Sequence, residues 1–358
     1  MIKKVLVLGL GKVGSLVGVL LNRQFEVVGI DKQAPHYDFP LPFPIVTGDV
    51  SDPAFLSEQI SQFDAVVSAL PYFLNTAVAD VAAQHGVHYF DLTEDVATTT
   101  HVRKLSATAK SVMAPQCGLA PGIIGIIGAD LASRFDAVRS IEMRVGALPK
   151  YPAGALGYAM TWSAAGVVNE YINDAEAIHH GKRKMVPSLQ GKESIQIDGS
   201  EYEAFYTSGG LGTMCETFEG KVDRLDYKTI RYPGHCDLMN FLINELLLRN
   251  DKKRLEEILL NAKPAVDDDI VIIYAAAEGK KGKDLYRHEF CRKYGPLIID
   301  GISWRAISWT TAASVAAVVE MVSRGKLPAA GFIKQESISL SDFLETSYGQ
   351  YYNTSDNS

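Results

Sequence analysis

The chain has 358 residues, with 42 acidic against 35 basic side chains (net charge −7) and 47% hydrophobic against 22% charged residues. That length exceeds one ordinary core and predicts two domains, and the composition is that of a globular protein rather than a disordered one. The acidic balance, with no dense Lys/Arg block, argues against nucleic acid as a partner. Four scattered cysteines (Cys117, Cys215, Cys236, Cys291), with no CxxC and no Cys/His cluster, argue against structural zinc and against a disulfide framework.

Lys3 and Lys4 ahead of the apolar run from Val5 to Leu21 imitate a secretory leader. Lys12 interrupts that run and no small-x-small cleavage site follows, so strand, turn and helix is the better reading. No other stretch has the ~20 uninterrupted apolar residues of a membrane span. No membrane partner is expected, and the cytoplasm is the expected location.

In chain order, Val5–Leu8 reads as a buried strand, Val13–Asn22 as an apolar helix behind glycines, Glu26–Ile30 as a second strand and Pro44–Val46 as a third. Pro53–Ile60 reads as a helix, with Asp52 as its N-cap and Pro53 in the first helical position. Strand Ala65–Leu70, helix Asn75–His85, strand His88–Leu92, helix Ala97–Lys110 and strand Ser111–Ala114 continue the rhythm. Apolar strands alternating with helices predict an α/β, Rossmann-type parallel sheet covered on both faces. Beyond Pro121-Gly122 the alternation stops. Ser140–Gly146, Ser194–Ile197, Glu203–Tyr206 and Ile270–Ala275 read as strands without regular helices between them, which predicts a mixed or antiparallel sheet in a second, α+β domain. Thr310–Arg324 reads as a strong helix ended by Gly325, and the polar tail from Asn353 is expected to fray.

The most informative residues are Gly9-Leu10-Gly11-Lys12-Val13-Gly14, between an apolar strand and an apolar helix. In such a loop the glycines allow a tight turn, close backbone approach to a pyrophosphate and close helix–strand packing. The helix N-terminus then offers N–H groups and a positive dipole end to phosphates. Asp31 closes the next strand 17 residues after Gly14, where a carboxylate accepts from ribose hydroxyls and repels a 2′-phosphate. NAD is therefore the expected cofactor, although the adjacent Lys32 could tolerate a phosphate and Asp31 could be a solvated strand end. Asp49 and Val50 could border the adenine, or Gly48-Asp49 could be a plain turn. Ala69, Leu70 and Pro71 follow the fourth strand, at the crevice where the sheet order reverses, and are expected near the nicotinamide half.

Three further segments concentrate polar groups. Asp91-Leu92-Thr93-Glu94 ends the fifth strand, Pro115 to Gly122 follows the sixth, and Lys228 to His235 lies deep in the second domain. With these in view the sequence resembles the saccharopine dehydrogenase family, most closely its lysine 6-dehydrogenase branch. The matching pieces are GLGKVG at the start, GLAPGI at 118–123, LGY with TWS at 156–163, EAFYTSGG at 203–210 and KTIRYPGH at 228–235. The resemblance implies a Rossmann domain over residues 1–124 and an inserted mixed-sheet domain over 125–303 for substrate binding and dimerisation. It also implies a C-terminal segment, 304–358, whose helix returns to the first domain. A homodimer or higher homo-oligomer acting on a small amino-acid substrate is expected.

The chemistry the resemblance implies is oxidation of a carbon bearing an amine, followed by hydrolysis of the imine. Such a site needs a cation for the substrate carboxylate, acidic groups for amines and a base for proton transfer. Arg231 suits the carboxylate, since its planar fork matches two oxygens; a structural ion pair is the alternative. Asp91 and Glu94 could hold ammonium groups or move protons, or could serve a turn and a helix start. His235 has the intrinsic range for acid–base work, or could be a structural hydrogen-bond partner. Tyr206, Thr207, Ser208 and the Gly209-Gly210 backbone offer substrate contacts, while Tyr206 could be core. Tyr158 and Trp162 lie in a matching stretch but could be packing. Cys117 is a further candidate contact, though a cysteine ending a buried strand is usually a small apolar residue.

Three functions compete. Free lysine oxidised at its terminal amine needs an acidic pocket for its ammonium; saccharopine, split to glutamate and the same semialdehyde, brings further carboxylates and needs more cations. Arg231 is the one motif-borne cation, which favours lysine. A non-catalytic NAD(H) sensor on the same fold is the reading from another class.

Overall fold

The computed structural model describes residues 2–34, 37, 39–263 and 265–353. Two compact units result, one running to Ile123 and resuming at Ser308, the other Ile124–Ile307. The tail beyond Asn353, expected to fray, lies outside the described residues.

The first unit is a doubly wound sheet. Its elements are β1 (Lys4–Leu8), α1 (Lys12–Leu21), β2 (Glu26–Asp31), β3 (Ile45–Thr47), α2 (Pro53–Ile60), β4 (Ala65–Ser68), α3 (Asn75–His85), β5 (His88–Asp91), α4 (Val96–Ser106) and β6 (Val112–Ala114). The strands are parallel in the order β3-β2-β1-β4-β5-β6, and a late strand, Gly331–Phe332, joins β6 in parallel. Strands buried on both faces carry no alternation: Val5 to Leu8 are each fully buried, and Leu6, Leu8, Ile30, Val66, Tyr89 and Met113 share one core. Two aspartates start helices by accepting from their orphan amides. Asp52 accepts from Ala54 N at 2.9 Å, and Asp95 accepts from Thr98 N at 2.7 Å. The second cap places the α4 start at Val96. The C-terminal segment closes on this unit, where Tyr348 Oη donates to the Leu20 carbonyl at 2.8 Å and Tyr352 Oη to the Thr310 carbonyl.

The second unit carries α5 (Ile123–Ser133), β7 (Ala137–Pro149), α6 (Ala164–Ile172), β8 (Ala175–His179), β9 (Lys182–Val186), β10 (Glu193–Ile197), β11 (Ser200–Tyr206), α7 (Met214–Phe218), β12 (Arg224–Arg231), α8 (His235–Asn240), α9 (Lys252–Ala262), β13 (Asp269–Lys281) and β14 (Asp284–Tyr294). The main sheet runs β10-β11-β12-β7-β13-β14, with β8 against β12 and β9 against β8. It is mixed: β12 and β7 are parallel, and the other pairs are antiparallel. Because side chains alternate across a strand, its two faces carry different chemistry. One packs Phe205 with Tyr158, Tyr171 and Met239; the other packs Tyr202, Ala204, Ile230 and Ile272. The longest helix, Ala306–Ser323, has the length and apolar composition of a membrane span, yet 89% of it is buried inside the protein.

Candidate active site

The glycine loop is built for close approach. Gly9 has φ +86°, and a Cβ there would stand 2.9 Å from the Ala69 carbonyl oxygen. A Cβ on Gly14 would lie 1.8 Å from the Gly9 oxygen and 3.0 Å from Ala69 Cβ, so only glycine lets α1 begin here. Gly11 meets nothing within 4 Å and caps α1 without a side chain, leaving bare backbone over the dipole end of the helix. Lys12 and Val13 form its first turn. Ala69 N donates to the Leu8 carbonyl at 2.8 Å, and Leu70 packs beside Gly9. Ala69 and Leu70 thus back the loop, while exposed Pro71 starts a 3₁₀ turn at Tyr72–Leu74.

Asp31 sits at the end of β2 and reaches back to the loop. Its Oδ2 accepts from Leu10 N at 2.6 Å and its Oδ1 from Gln33 N at 3.1 Å. Lys32 points elsewhere: its Nζ pairs with Asp49 at 2.8 Å on the surface. That ion pair and the Ser51 hydroxyl and amide hold the Asp49 carboxyl well below the usual carboxylate range. Val50, beside it, packs on the unit's core.

Asp91 is fully buried, and each oxygen is engaged. Tyr89 Oη donates to Oδ2 at 2.6 Å; Thr93 N and Gln116 N donate to Oδ1, both at 2.9 Å. Burial raises its pKa to about 6 against these bonds. This carboxylate ties β5 to the loop after β6, and its geometry is that of an organiser rather than a proton carrier. Glu94 differs. It is partly exposed, has no ion pair among the described residues, and burial, with Asp95 and Asp91 nearby, pushes it to about 7. Cys117 corrects an expectation. Its thiol is wholly buried, donates to the Ala114 carbonyl at 3.1 Å and accepts from Gln335 Nε2 at 3.3 Å, and burial keeps it protonated. It packs and braces; it does not present itself to a substrate.

In the second unit one constellation stands out. Arg231, at the end of β12, is 2% exposed. Its Nε donates to Tyr171 Oη at 2.9 Å and its Nη1 to the Ile230 carbonyl at 2.8 Å. The guanidinium carbon lies 4.8 Å from the Tyr158 ring centre and 5.8 Å from that of Tyr171. Rings stabilise a cation, but no carboxylate of the described residues stands within ion-pair distance of Arg231. Its cross-strand neighbour Glu203 is committed to the start of α8, accepting from Gly234 N at 3.0 Å and Cys236 N at 2.6 Å. Nearby, the buried hydroxyls of Tyr158 and Thr161 have no hydrogen-bond partner among the described residues. Glu170, from α6, is also buried; its carboxylate adds to burial in raising the hydroxyl pKa values of Tyr158, Tyr171 and Tyr227, and it favours the charged form of Arg231 through space.

His235 is corrected as an acid–base group. It is 1% exposed, its Nδ1 lies 3.0 Å from the Leu156 carbonyl oxygen and its Nε2 3.0 Å from Tyr171 Oη. Burial and the Arg231 charge lower its pKa to about 3, so it stays neutral. Tyr206 is corrected by strand alternation: it pairs with Lys228, three residues from Arg231, and therefore lies on the opposite face. There its ring carries Lys228 Nζ at 5.0 Å, within a network where Arg144 meets Asp226 and Glu193 and Lys228 meets Glu193. Thr207, one residue on, is buried against Thr229 with the two Oγ1 atoms 2.7 Å apart. Tyr171, Glu170 and Thr161 are not singled out by the sequence. The signal available for them was the stretch from Leu156 to Ser163 and the helix it leads into, whose partner at Arg231 lies 60 residues from Tyr171.

The strand order, the glycine loop and an acidic β2 terminus define a dinucleotide-binding domain joined to a mixed-sheet domain that holds a buried arginine with no carboxylate of the described residues at ion-pair distance. Two family models cover nearly the whole chain: Saccharopine dehydrogenase NADP binding domain matches residues 5–114, and Saccharopine dehydrogenase C-terminal domain matches residues 118–348. The chain belongs to the saccharopine dehydrogenase family, and its first domain binds a nicotinamide dinucleotide. It is 25% identical over 287 residues to saccharopine dehydrogenase [NADP(+), L-glutamate-forming] of Schizosaccharomyces pombe, a match covering 72% of this chain and 60% of that protein's length. The structure is similar to apo saccharopine dehydrogenase (L-Glu forming) of Saccharomyces cerevisiae, with TM-score 0.73 at 16% identity over 98% of each chain. It is also similar to the C. glutamicum DAP dehydrogenase in complex with DAP, with TM-score 0.50 at 10% identity over 98% of each chain. These structural likenesses concern the fold.

Proposed function

We propose that the protein is a nicotinamide-dependent dehydrogenase that oxidises an amine-bearing carbon of a free amino acid, with L-lysine at its terminal amine as first candidate. One observation carries this reading. Among the described residues, the buried cations Arg144, Lys228 and Arg305 each meet a carboxylate, and Arg231 meets none. Glu170 acts on it through space but makes no ion-pair contact; a buried cation without a contacting opposite charge is costly, and an amino-acid carboxylate is the ligand group that would supply that contact. When bound, the nicotinamide accepts the hydride. The amine nitrogen supplies the electron pair that forms the C=N bond, so the ammonium must first lose a proton. Glu94 is the acid–base candidate: unpaired, partly exposed and held at about 7, it gains base strength as pH rises through neutrality. Water then adds to the imine, and the amine leaves. L-Saccharopine is the second reading, favoured by the name of the S. pombe relative; its extra carboxylates would need cations beyond Arg231.

For the cofactor we propose NAD. Asp31 ends β2 and accepts from Leu10 N in the glycine loop, the position from which a carboxylate in this fold repels a 2′-phosphate, and Lys32 is engaged by Asp49; both support this reading. The NADP in the names of the family model and the relative supports the other assignment, in which Lys32 leaves Asp49 for the phosphate. A panel of L-lysine and L-saccharopine with NAD and NADP, followed by absorbance of the reduced cofactor, tests both points. The expected result is NADH formed from L-lysine, a cyclic product trapped by 2-aminobenzaldehyde and a rate that rises through about pH 7. NAD should be preferred roughly ten-fold or more, the scale of one unfavourable charge contact, and Asp31→Ser should narrow the gap. Saccharopine turnover with glutamate released and lysine inert would exchange the two substrates. Silence with both amino acids would overturn the enzymatic reading.

A further inference from the structure

Arg231 has five N–H donors in a rigid fork, and the fold has disposed of them unequally. Nε is taken by Tyr171 Oη and Nη1 by the Ile230 carbonyl, while the Tyr158 and Tyr171 rings lie against the guanidinium. Nη2 has no protein acceptor among the described residues. The chain of bonds behind Nε also has a fixed direction. A carbonyl only accepts, so His235 Nδ1–H must be the donor to Leu156 O. In a neutral imidazole the other nitrogen is then a lone pair, and His235 Nε2 accepts from the Tyr171 hydroxyl. With its proton committed there, Tyr171 oxygen is left as acceptor for Arg231 Nε–H. Three bonds thus run one way, Arg231 to Tyr171 to His235 to the backbone, all at 2.9 to 3.0 Å.

We propose that Tyr171 and His235 are a positioning pair that fixes the Arg231 guanidinium and leaves its Nη2 edge as the donor presented to a substrate carboxylate. This rests on reading Arg231 as the carboxylate-binding cation. His235 touches no reacting atom; it acts through Tyr171. Its imidazole stays neutral beside a permanent cation, as the lone pair on Nε2 requires: burial and Arg231 both oppose protonation. If the imidazole were protonated, the Tyr171 hydroxyl would face two donors and its own proton would lack an acceptor.

Calorimetric affinities of the NADH-loaded protein for L-lysine, L-saccharopine and cadaverine, which is lysine without its carboxylate, test the pair. Wild type should bind one of the amino acids well above cadaverine. Tyr171→Phe should cut that amino-acid affinity by about ten- to a hundred-fold, the range for a hydrogen bond to a charged group. His235→Leu should do the same, and His235→Gln, which keeps an acceptor near the Nε2 position, should recover most of the loss. Cadaverine and NADH affinities should stay unchanged in all three, and Arg231→Met should erase the amino-acid preference outright. If Arg231→Met erases the preference while Tyr171→Phe leaves it intact, the positioning role is wrong and the carboxylate reading stands. If Arg231→Met leaves the preference intact, or wild type binds neither amino acid, the carboxylate reading fails and the pair has no object. Should His235→Leu fail to fold, Tyr171→Phe, nearly isosteric, decides alone.

Discussion

Arg144 and Arg231 are each 2% exposed and stand on adjacent strands, β7 and β12, of one sheet, but they face opposite sides of it. Arg144 meets two carboxylates, its Nε at 2.5 Å from Glu193 and its Nη1 at 2.5 Å from Asp226. Arg231 meets two aromatic rings, a hydroxyl and a carbonyl. Removing a charge from water costs several kcal/mol, and only a partner offsets it well. Where the fold supplies that partner, the arginine is part of the scaffold. On the other face the cross-strand carboxylate, Glu203, caps α8 instead, and the buried Glu170 acts on Arg231 only through space, without an ion-pair contact.

The two faces should therefore answer mutation differently. The largest effect on stability is expected from Arg144→Met, which leaves Asp226 buried with only the half-exposed Arg224 as partner. Breaking a buried pair from one side costs about 3–5 kcal/mol, or a Tm loss on the order of 10 °C for a domain of this size. Thermal melts should also separate the variants by pH. In the native protein Asp226 and Glu193 are held below the usual carboxylate range: burial opposes this, but Arg144 and the neighbouring cations outweigh it. Their stabilisation is present above the unfolded carboxylate range and is lost as pH falls through the depressed values. Melts of Arg144→Met should show a shallower acid slope than wild type; an equal slope would place the acid sensitivity elsewhere. The smallest effect is expected from Tyr206→Phe. Because Tyr206 belongs to the Arg144 face, amino-acid affinity should stay within about two-fold, below the ~1 kcal/mol scale of a typical hydrogen bond. A larger fall would mean that the face assignment does not govern substrate contact.

What could be read from the sequence was what is local. The loop Gly9–Gly14 and the acidic β2 terminus carry their meaning within 25 residues, and the strand–helix alternation of the first unit follows from continuous apolar runs. In the second unit Ile270–Ala275 is legible as an apolar strand, but β13 runs on through Ala277-Glu278-Gly279 to Lys281 because β14 pairs with it from Val271 to Lys281. The sequence of β14 intersperses charged residues with aromatic ones and gives no apolar run to notice. The motif around Tyr206 carries no sign of its face, which only the pairing with Lys228 and the period of two reveal. Arg231 was legible as a residue, whereas its environment was not: Tyr158, Tyr171 and His235 converge from separate segments, and nothing in a single sequence shows that Glu203 is spent on a helix cap. His235 shows the same limit, since its intrinsic range suits catalysis and only its two bonds and its burial reveal a neutral, fixed ring.

The most direct test of the central claim is to compare Arg231→Met with Arg144→Met in one experiment that reads both melting temperature and kcat/KM for the amino-acid substrate. Arg231→Met should melt at or slightly above wild type, because an unpaired buried cation has been replaced by an apolar chain. Its kcat/KM should fall by roughly a hundred-fold or more, as expected for loss of a charge-assisted contact worth about 2–5 kcal/mol. Arg144→Met should show the reverse, a lower melting temperature with kcat/KM near wild type at temperatures where it is folded. A destabilised Arg231→Met that keeps its kcat/KM would contradict the account and make Arg231 a second scaffold arginine.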